Sequence, residues 1–259
     1  MTARLTIPDL AGKRVLVTGA STGIGAAVAR ALGEQGAHVA IHYNSSRAAA
    51  EEVARDIVAG GTKAPLVEGD VSDMKATARV VDAAATALGG LDGLINNAGG
   101  MLGRVALAEI TDEQYDKVMR LNAQSVLVAS QAATPHIKKA GGGFIINTTS
   151  IAARNGGSGG AVLYAASKGF VSTLTHGLAK ELIGANIRMN AVAPGVIATP
   201  FHERYSSPEF MRTVVASIPQ GRVGTSEDCV GAYLFLASTA LSGYIIGQVI
   251  EVNGGQYMP

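Results

Sequence analysis

Tyr164 and Lys168, in the run Tyr164-Ala165-Ala166-Ser167-Lys168, stand four residues apart. On a helix that spacing puts both side chains on one face, one turn apart. A free tyrosine has a pKa of about 10 and is a poor acid or base near neutrality. A neighbouring ammonium stabilises the phenolate and lowers that value. The pair therefore offers a proton donor and acceptor tuned toward working pH. Taken alone, such spacing is usually a half-buried ring beside a solvated charge, so the rest of the chain has to decide.

A second cluster suits phosphate. A short apolar run leads into Thr18-Gly19-Ala20-Ser21-Thr22-Gly23-Ile24-Gly25, a G-x-x-x-G-x-G turn. Glycines there permit positive φ and close approach of a ligand to the backbone. A following helix would present free N–H groups and its positive dipole end. No Gly-Lys-Ser/Thr closes the turn, so it is not a P-loop. An acidic residue at the end of the second strand would bind the ribose hydroxyl of NAD. Here the segment reads Ile41-His42-Tyr43-Asn44-Ser45-Ser46-Arg47, with no carboxylate before Glu51. Tyr43, Asn44 and Ser45 are placed at the cofactor. Asn44, Ser45, Ser46 and Arg47 are potential donors to a 2′-phosphate, with help from Ser21 and Thr22. NADP(H) is favoured and NAD(H) remains possible. The bland alternative is a polar loop with Ser45 or Ser46 as helix N-cap.

The elements that must position these groups alternate. Strands are expected at 14–18, 38–43, 63–68, 91–96, 143–149, 186–192 and 247–252. Helices are expected at 24–35, 47–59, 73–88, 111–139 (bent near Pro135) and 162–183, the last carrying Tyr164 and Lys168. This order implies βαβ units in a parallel, doubly wound sheet. The chain shows no repeat or low-complexity linker, so residues 1–259 are taken as one domain. Residues 198–227 are the least patterned, with Pro200, Pro208 and Pro219 around Phe201, Phe210 and Met211. A long apolar loop there suits a substrate lid.

Bulk properties exclude several classes. A net charge of +1 with no long basic run argues against a nucleic-acid or membrane-surface binder. No stretch approaches the roughly 20 apolar residues of a membrane span, and no signal peptide is evident. A cytoplasmic location is the default. Cys229 is the only cysteine, so neither an intrachain disulfide nor a cysteine-built metal site is available. Its neighbours read as a buried helix. The histidines show no metal-ligand spacing, and no metal is expected.

Six motifs in order make the chain resemble a short-chain dehydrogenase/reductase over essentially its full length. They are the glycine turn, Asn96-Asn97-Ala98-Gly99, Asn122, Ser150, the Tyr164/Lys168 pair and Pro194-Gly195. The resemblance implies a Rossmann-type α/β fold, a doubly wound parallel sheet of about seven strands with helices on both faces. It implies that Tyr164 gives or takes the proton, that Lys168 holds the nicotinamide ribose and depresses the tyrosine pKa, and that Ser150 binds the substrate oxygen. Asn122 would position a water linking Lys168 to solvent. Asp70 and Val71 would contact the adenine, and Asn97, Ala98 and Gly99 would line the cofactor, with Asn97 also tying strands together. Val196, Ile197 and Thr199, after Pro194-Gly195, would meet the nicotinamide amide. The physics agrees, because hydride delivery to a carbonyl builds negative charge on its oxygen, where two converging hydroxyls stabilise it.

Two features stand apart from the pattern. Thirteen residues separate Ser150 from Tyr164, about one more than the family leads one to expect. The surplus falls in Gly156-Gly157-Ser158-Gly159-Gly160; a slip of helix register instead would displace Ser150 from its role. The same loop spells G-x-S-x-G, the nucleophile elbow of hydrolases, with Glu181 and His202 in order behind it. That elbow needs a strand running straight into the serine, whereas the strand ends near 149, so the hydrolase reading is set aside.

The resemblance implies a small-molecule carbonyl or alcohol as substrate. The chain is most similar to the 3-oxoacyl-acyl-carrier-protein reductase group and to relatives acting on sugars, quinones or small ketones, a neighbourhood its ending Val252–Met258 also suits. Lys138-Lys139 and Lys180 stand where carrier-protein reductases tend to place arginines, and a lysine lacks the arginine fork. A non-catalytic NADP-binding sensor is the competing class, but it would have no need of Ser150, Asn122, Tyr164 and Lys168 together. The resemblance further implies a homotetramer.

Overall fold

A computed structural model describes residues 6–157, 159–205 and 208–259. The short runs rich in Val, Ile and Leu form strands buried on both faces, which need no polar alternation. These are β1 (Arg14–Val17), β2 (His38–Tyr43), β3 (Leu66–Glu68), β4 (Gly93–Asn96), β5 (Gly143–Thr148), β6 (Ile187–Pro194) and β7 (Val249–Val252). They form one parallel seven-stranded sheet in the order β3-β2-β1-β4-β5-β6-β7. The chain crosses from the β3 edge back to the middle at β4, so the order reverses between β1 and β4. Ligands of open parallel sheets bind at such a point, beyond the carboxyl ends of the strands.

Two cores fill the layers. On one face Val15, Val17, Val39, Ile41 and Ile146 pack with α1 (Gly23–Glu34), α2 (Arg47–Ala59) and α10 (Ser226–Ala237). On the other, Leu16, Ala40, Leu94, Ile145 and Met189 pack with α3 (Met74–Leu88), α5 (Ser125–Lys139) and α7 (Val162–Leu182). Neighbours on one strand thus serve opposite layers. Cys229 is fully buried in the first core, on α10.

The expected elements are present, with informative differences. β3 starts at Leu66 rather than 63, because Pro65 has no N–H for the ladder. The single helix expected at 111–139 is instead α4 (Asp112–Met119), a π-helical segment at Arg120–Gln124, and α5, which runs through Pro135. The 198–227 segment holds two helices, α8 (Pro200–Tyr205) and α9 (Pro208–Ser217). Short helices α6 (Ala152–Asn155) and α11 (Thr239–Ser242) complete the chain. Ser158 lies outside the described residues. No helix among them is long and apolar enough to cross a membrane.

Candidate active site

The turn after β1 is built to leave backbone exposed to a ligand. Gly19 has φ of 62°, and a Cβ there would sit 2.9 Å from Ala98 Cα. Thr18 Oγ1 accepts hydrogen bonds from Asn97 N (2.9 Å) and Ala98 N (3.0 Å), and Asn97 Nδ2 donates to Thr18 O (2.9 Å) and Gly19 O (3.1 Å). The turn after β1 and the loop after β4 are therefore one unit. Thr22 stands at the N-cap of α1 without a capping hydrogen bond from its side chain. The first-turn N–H groups and the dipole end of α1 consequently face the cavity.

His42 braces this turn from below. Its Nδ1 accepts from Gly19 N at 2.9 Å, and its Nε2 lies 3.0 Å from Gly69 O. The two partners select the tautomer protonated on Nε2, and burial holds the ring below the ordinary histidine pKa. Sequence reading passed over His42, because a lone histidine in an apolar strand carries no signal of its partners.

Ser150, Tyr164 and Lys168 meet beyond the ends of β5 and β6. Ser150 follows β5, while Tyr164 and Lys168 project from one face of α7. Ser150, Tyr164 and Lys168 line one cavity, and the Ser150 side chain acts on the Tyr164 phenol. The glycine loop between Ser150 and Tyr164 has positive φ at Gly156, Gly157, Gly159 and Gly160, and docks through Val105 N on Gly160 O (3.0 Å). Lys168 is 3% exposed, and its Nζ donates to Thr148 O at 2.8 Å and lies 5.8 Å from the Tyr164 ring centre.

The electrostatics differ from the expectation. Burial pushes the Tyr164 phenol up to about 12, with only the Ser150 side chain opposing it. Burial pulls Lys168 down to about 8. In this cofactor-free state burial sets the direction of both shifts, and the Lys168 ammonium donates to Thr148 O.

One cavity of about 670 Å³ joins the two regions. Its walls include Gly19, Ser21, Thr22, Gly23 and Ile24 at the turn, and Tyr43, Asn44 and Ser45 after β2. Asp70 and Val71 line it after β3, and Asn97, Ala98 and Gly99 after β4. Pro194, Gly195, Val196, Ile197 and Thr199 line it after β6, together with Ser150, Tyr164 and Lys168. Gly25, placed at the cofactor by sequence, is not in the lining. Its missing Cβ leaves room for Gly19 O and Asn97 Nδ2, so it seats α1 against the turn. Arg47 is likewise outside and pairs with Glu51 (2.9 Å), while Ser46 stands at the N-cap of α2 without a side-chain cap bond.

Asn122 is also not a wall residue. It is fully buried in the π-helical segment, where its amide accepts from Gly100 N (2.9 Å) and donates to Gly100 O (2.8 Å) and Val118 O (2.9 Å). A Cβ on Gly99 would meet both Asn122 Oδ1 (2.8 Å) and Lys168 Nζ (3.3 Å), so the three are packed together. Phe201, which the sequence placed in the apolar lid segment, has its ring centre 5.5 Å from that of Tyr164, while Arg104, Arg204 and Gln256 in the lining carried no sequence signal.

A dinucleotide fits this lining. The glycine turn and the α1 N-terminus offer N–H groups to a diphosphate, the β2 loop offers hydroxyls and an amide, and Lys168 and Tyr164 stand beyond Gly99. Residues 19–256 match the family described as enoyl-(acyl carrier protein) reductase. The 3-oxoacyl-[acyl-carrier-protein] reductase of Staphylococcus aureus is 37% identical, over 95% of this chain and 98% of its own. An NADH-dependent reductase, A1-R′, solved in complex with NAD, is 38% identical with a TM-score of 0.88, covering 98% of this chain and 100% of its own. A short-chain dehydrogenase of Burkholderia cenocepacia, solved with NADP, is 35% identical with a TM-score of 0.89, covering 96% and 99%. With its sheet order, its glycine turn and its Ser150–Tyr164–Lys168 cluster, the chain belongs to the short-chain dehydrogenase/reductase family, as an NAD(P)-dependent oxidoreductase.

Proposed function

We propose that the protein interconverts a ketone and a secondary alcohol with NADP(H), that residues 1–259 form one dinucleotide-binding domain, and that 198–227 is a lid over the substrate. The observation that carries this is the pair of hydroxyls, Ser150 and Tyr164, sharing one cavity with Lys168 and a glycine turn suited to a diphosphate. When bound, the cofactor supplies or accepts the hydride. Ser150 donates to the carbonyl oxygen, and Tyr164, protonated in its buried setting, delivers the proton as charge builds there. Lys168 holds the ribose and offsets the charge left on the phenolate. Asn122 fixes the backbone at Gly100 beside Lys168 as a positioning residue. Asn44, Ser45 and Ser46 without a carboxylate in the β2 loop support NADP(H) over NAD(H). A cytoplasmic homotetramer completes the reading. It is supported by exposed Tyr115 on α4 and by Val162 and Phe170 on α7.

A 3-oxoacyl thioester is the second substrate reading. It is favoured by exposed Lys138 and Lys139 on α5 and Lys180 on α7, which an acidic carrier would meet. NADPH absorbance followed with acetoacetyl thioester and with sugar, quinone and small-ketone panels tests both readings, with Tyr164→Phe alongside. Turnover by wild type alone supports the mechanism. Failure with every carbonyl, in protein that binds NADPH, points to a sensor instead.

A further inference from the structure

The cavity changes electrical character along its length. Asp70, after β3, is the only carboxylate among the described residues that line it. It lies at the β2–β3 end and accepts hydrogen bonds from Ser72 N and Ser72 Oγ (both 2.8 Å). Beyond Tyr164 the charged wall residues are Arg104 and Arg204, with Lys168 beneath.

Arg204 is on α8, and Arg104, in the loop after β4, is held against the end of that helix. Phe201 stacks at a tilt on Tyr164, and Arg204 follows three residues later on the same helix. Arg204 is exposed and has no ion-pair or hydrogen-bond partner among the described residues. Arg104 Nε donates to Tyr205 O at 2.8 Å, at the end of α8, and its Nη1 donates to Gly159 O at 3.1 Å. Its guanidinium is thus fixed beside the lid and the glycine loop. The remaining polar wall groups on this side are neutral and include Thr213, Ser217 and Gln256. A wall whose described residues carry cations and no carboxylate concentrates anions. A guanidinium fork matches a carboxylate in two parallel hydrogen bonds.

We propose that the substrate is an oxo acid, its carboxylate held by Arg204 in the field of Arg104 while its ketone meets Ser150 and Tyr164. This rests on the ketone–alcohol reading above. The carbonyl carbon gains the hydride, Tyr164 gives its proton to the oxygen, and the product is the corresponding hydroxy acid. The carboxylate is unchanged.

The test uses pyruvate, acetoacetate and levulinate, each beside its methyl ester, with NADPH. Wild type is expected to favour at least one acid over its ester by about tenfold or more in kcat/KM, the scale of a charge-assisted hydrogen bond. Arg204→Gln should raise KM for that acid by a similar factor and collapse the acid-to-ester ratio toward one, with Arg204→Lys between. Arg204 is exposed, so these variants should fold. Esters turned over as well as the acids by wild type, or a preference that survives Arg204→Gln, overturns the oxo-acid proposal and leaves the ketone reading intact. No Tyr164-dependent turnover of any acid or ester, in protein that binds NADPH, overturns both.

Discussion

Tyr164 enters the reaction as an acid. With burial holding its phenol up near 12, it is protonated at any working pH and ready to donate. Tyr164→Phe removes that proton and should cut kcat by about 10³-fold, while NADPH affinity by fluorescence titration stays within about twofold of wild type. Lys168 carries a pH signature in stability. Its folded pKa of about 8 lies below the unfolded value of 10.5, so between those values the unfolded chain binds more protons and stability rises with pH. Urea titrations from pH 7 to 10 should show that rise in the cofactor-free protein and its loss in Lys168→Met. Above pH 10 Tyr164 works in the opposite sense, since its folded pKa is raised. Tyr164 and Lys168 were suggested by their spacing, and Ser150 only by the order of motifs around it. The sign of the Lys168 effect was not, because desolvation depends on what the fold packs around the ammonium. His42 escaped for the same reason, its meaning lying in Gly19 and Gly69.

The π-helical segment at Arg120–Gln124 has its cause in the tertiary structure. Nothing near Asn122 in sequence breaks a helix, so a continuous 111–139 was the natural expectation. Widening the helix by a residue turns the Asn122 amide onto both backbone groups of Gly100, and such insertions recur at functional sites. Asn122→Ala orphans buried groups of Gly100 and Val118 and should cost about 2–3 kcal/mol in urea unfolding, with a lower kcat. Gly25→Ala is a test of the other half of the site. Its methyl would press on Gly19 O and Asn97 Nδ2, so NADPH affinity should fall by at least about tenfold. The prolines in 198–227 misled in an instructive way. Read as breakers, Pro200 and Pro208 are the first residues of α8 and α9, where a missing N–H costs nothing.

At the scale of the molecule, alternating apolar runs and helical spacings were enough to recover the parallel sheet and its helical layers. Which copy packs on which was not legible, because an exposed apolar residue reads the same in a monomer. Phe170 and Val162 on α7 are 40% and 48% exposed. If α7 meets a second copy, sedimentation velocity of wild type should give a tetramer and Phe170→Asp a smaller species that retains NADPH binding. The lone thiol has a use at this scale as well. Cys229 is sealed between α10 and the first core, and burial raises its pKa to about 12. A thiol reagent can then reach it only when that layer opens. The rate of labelling by a disulfide dye is therefore a clock for the opening of α10, readable without any label added to the chain, and cofactor binding should slow it.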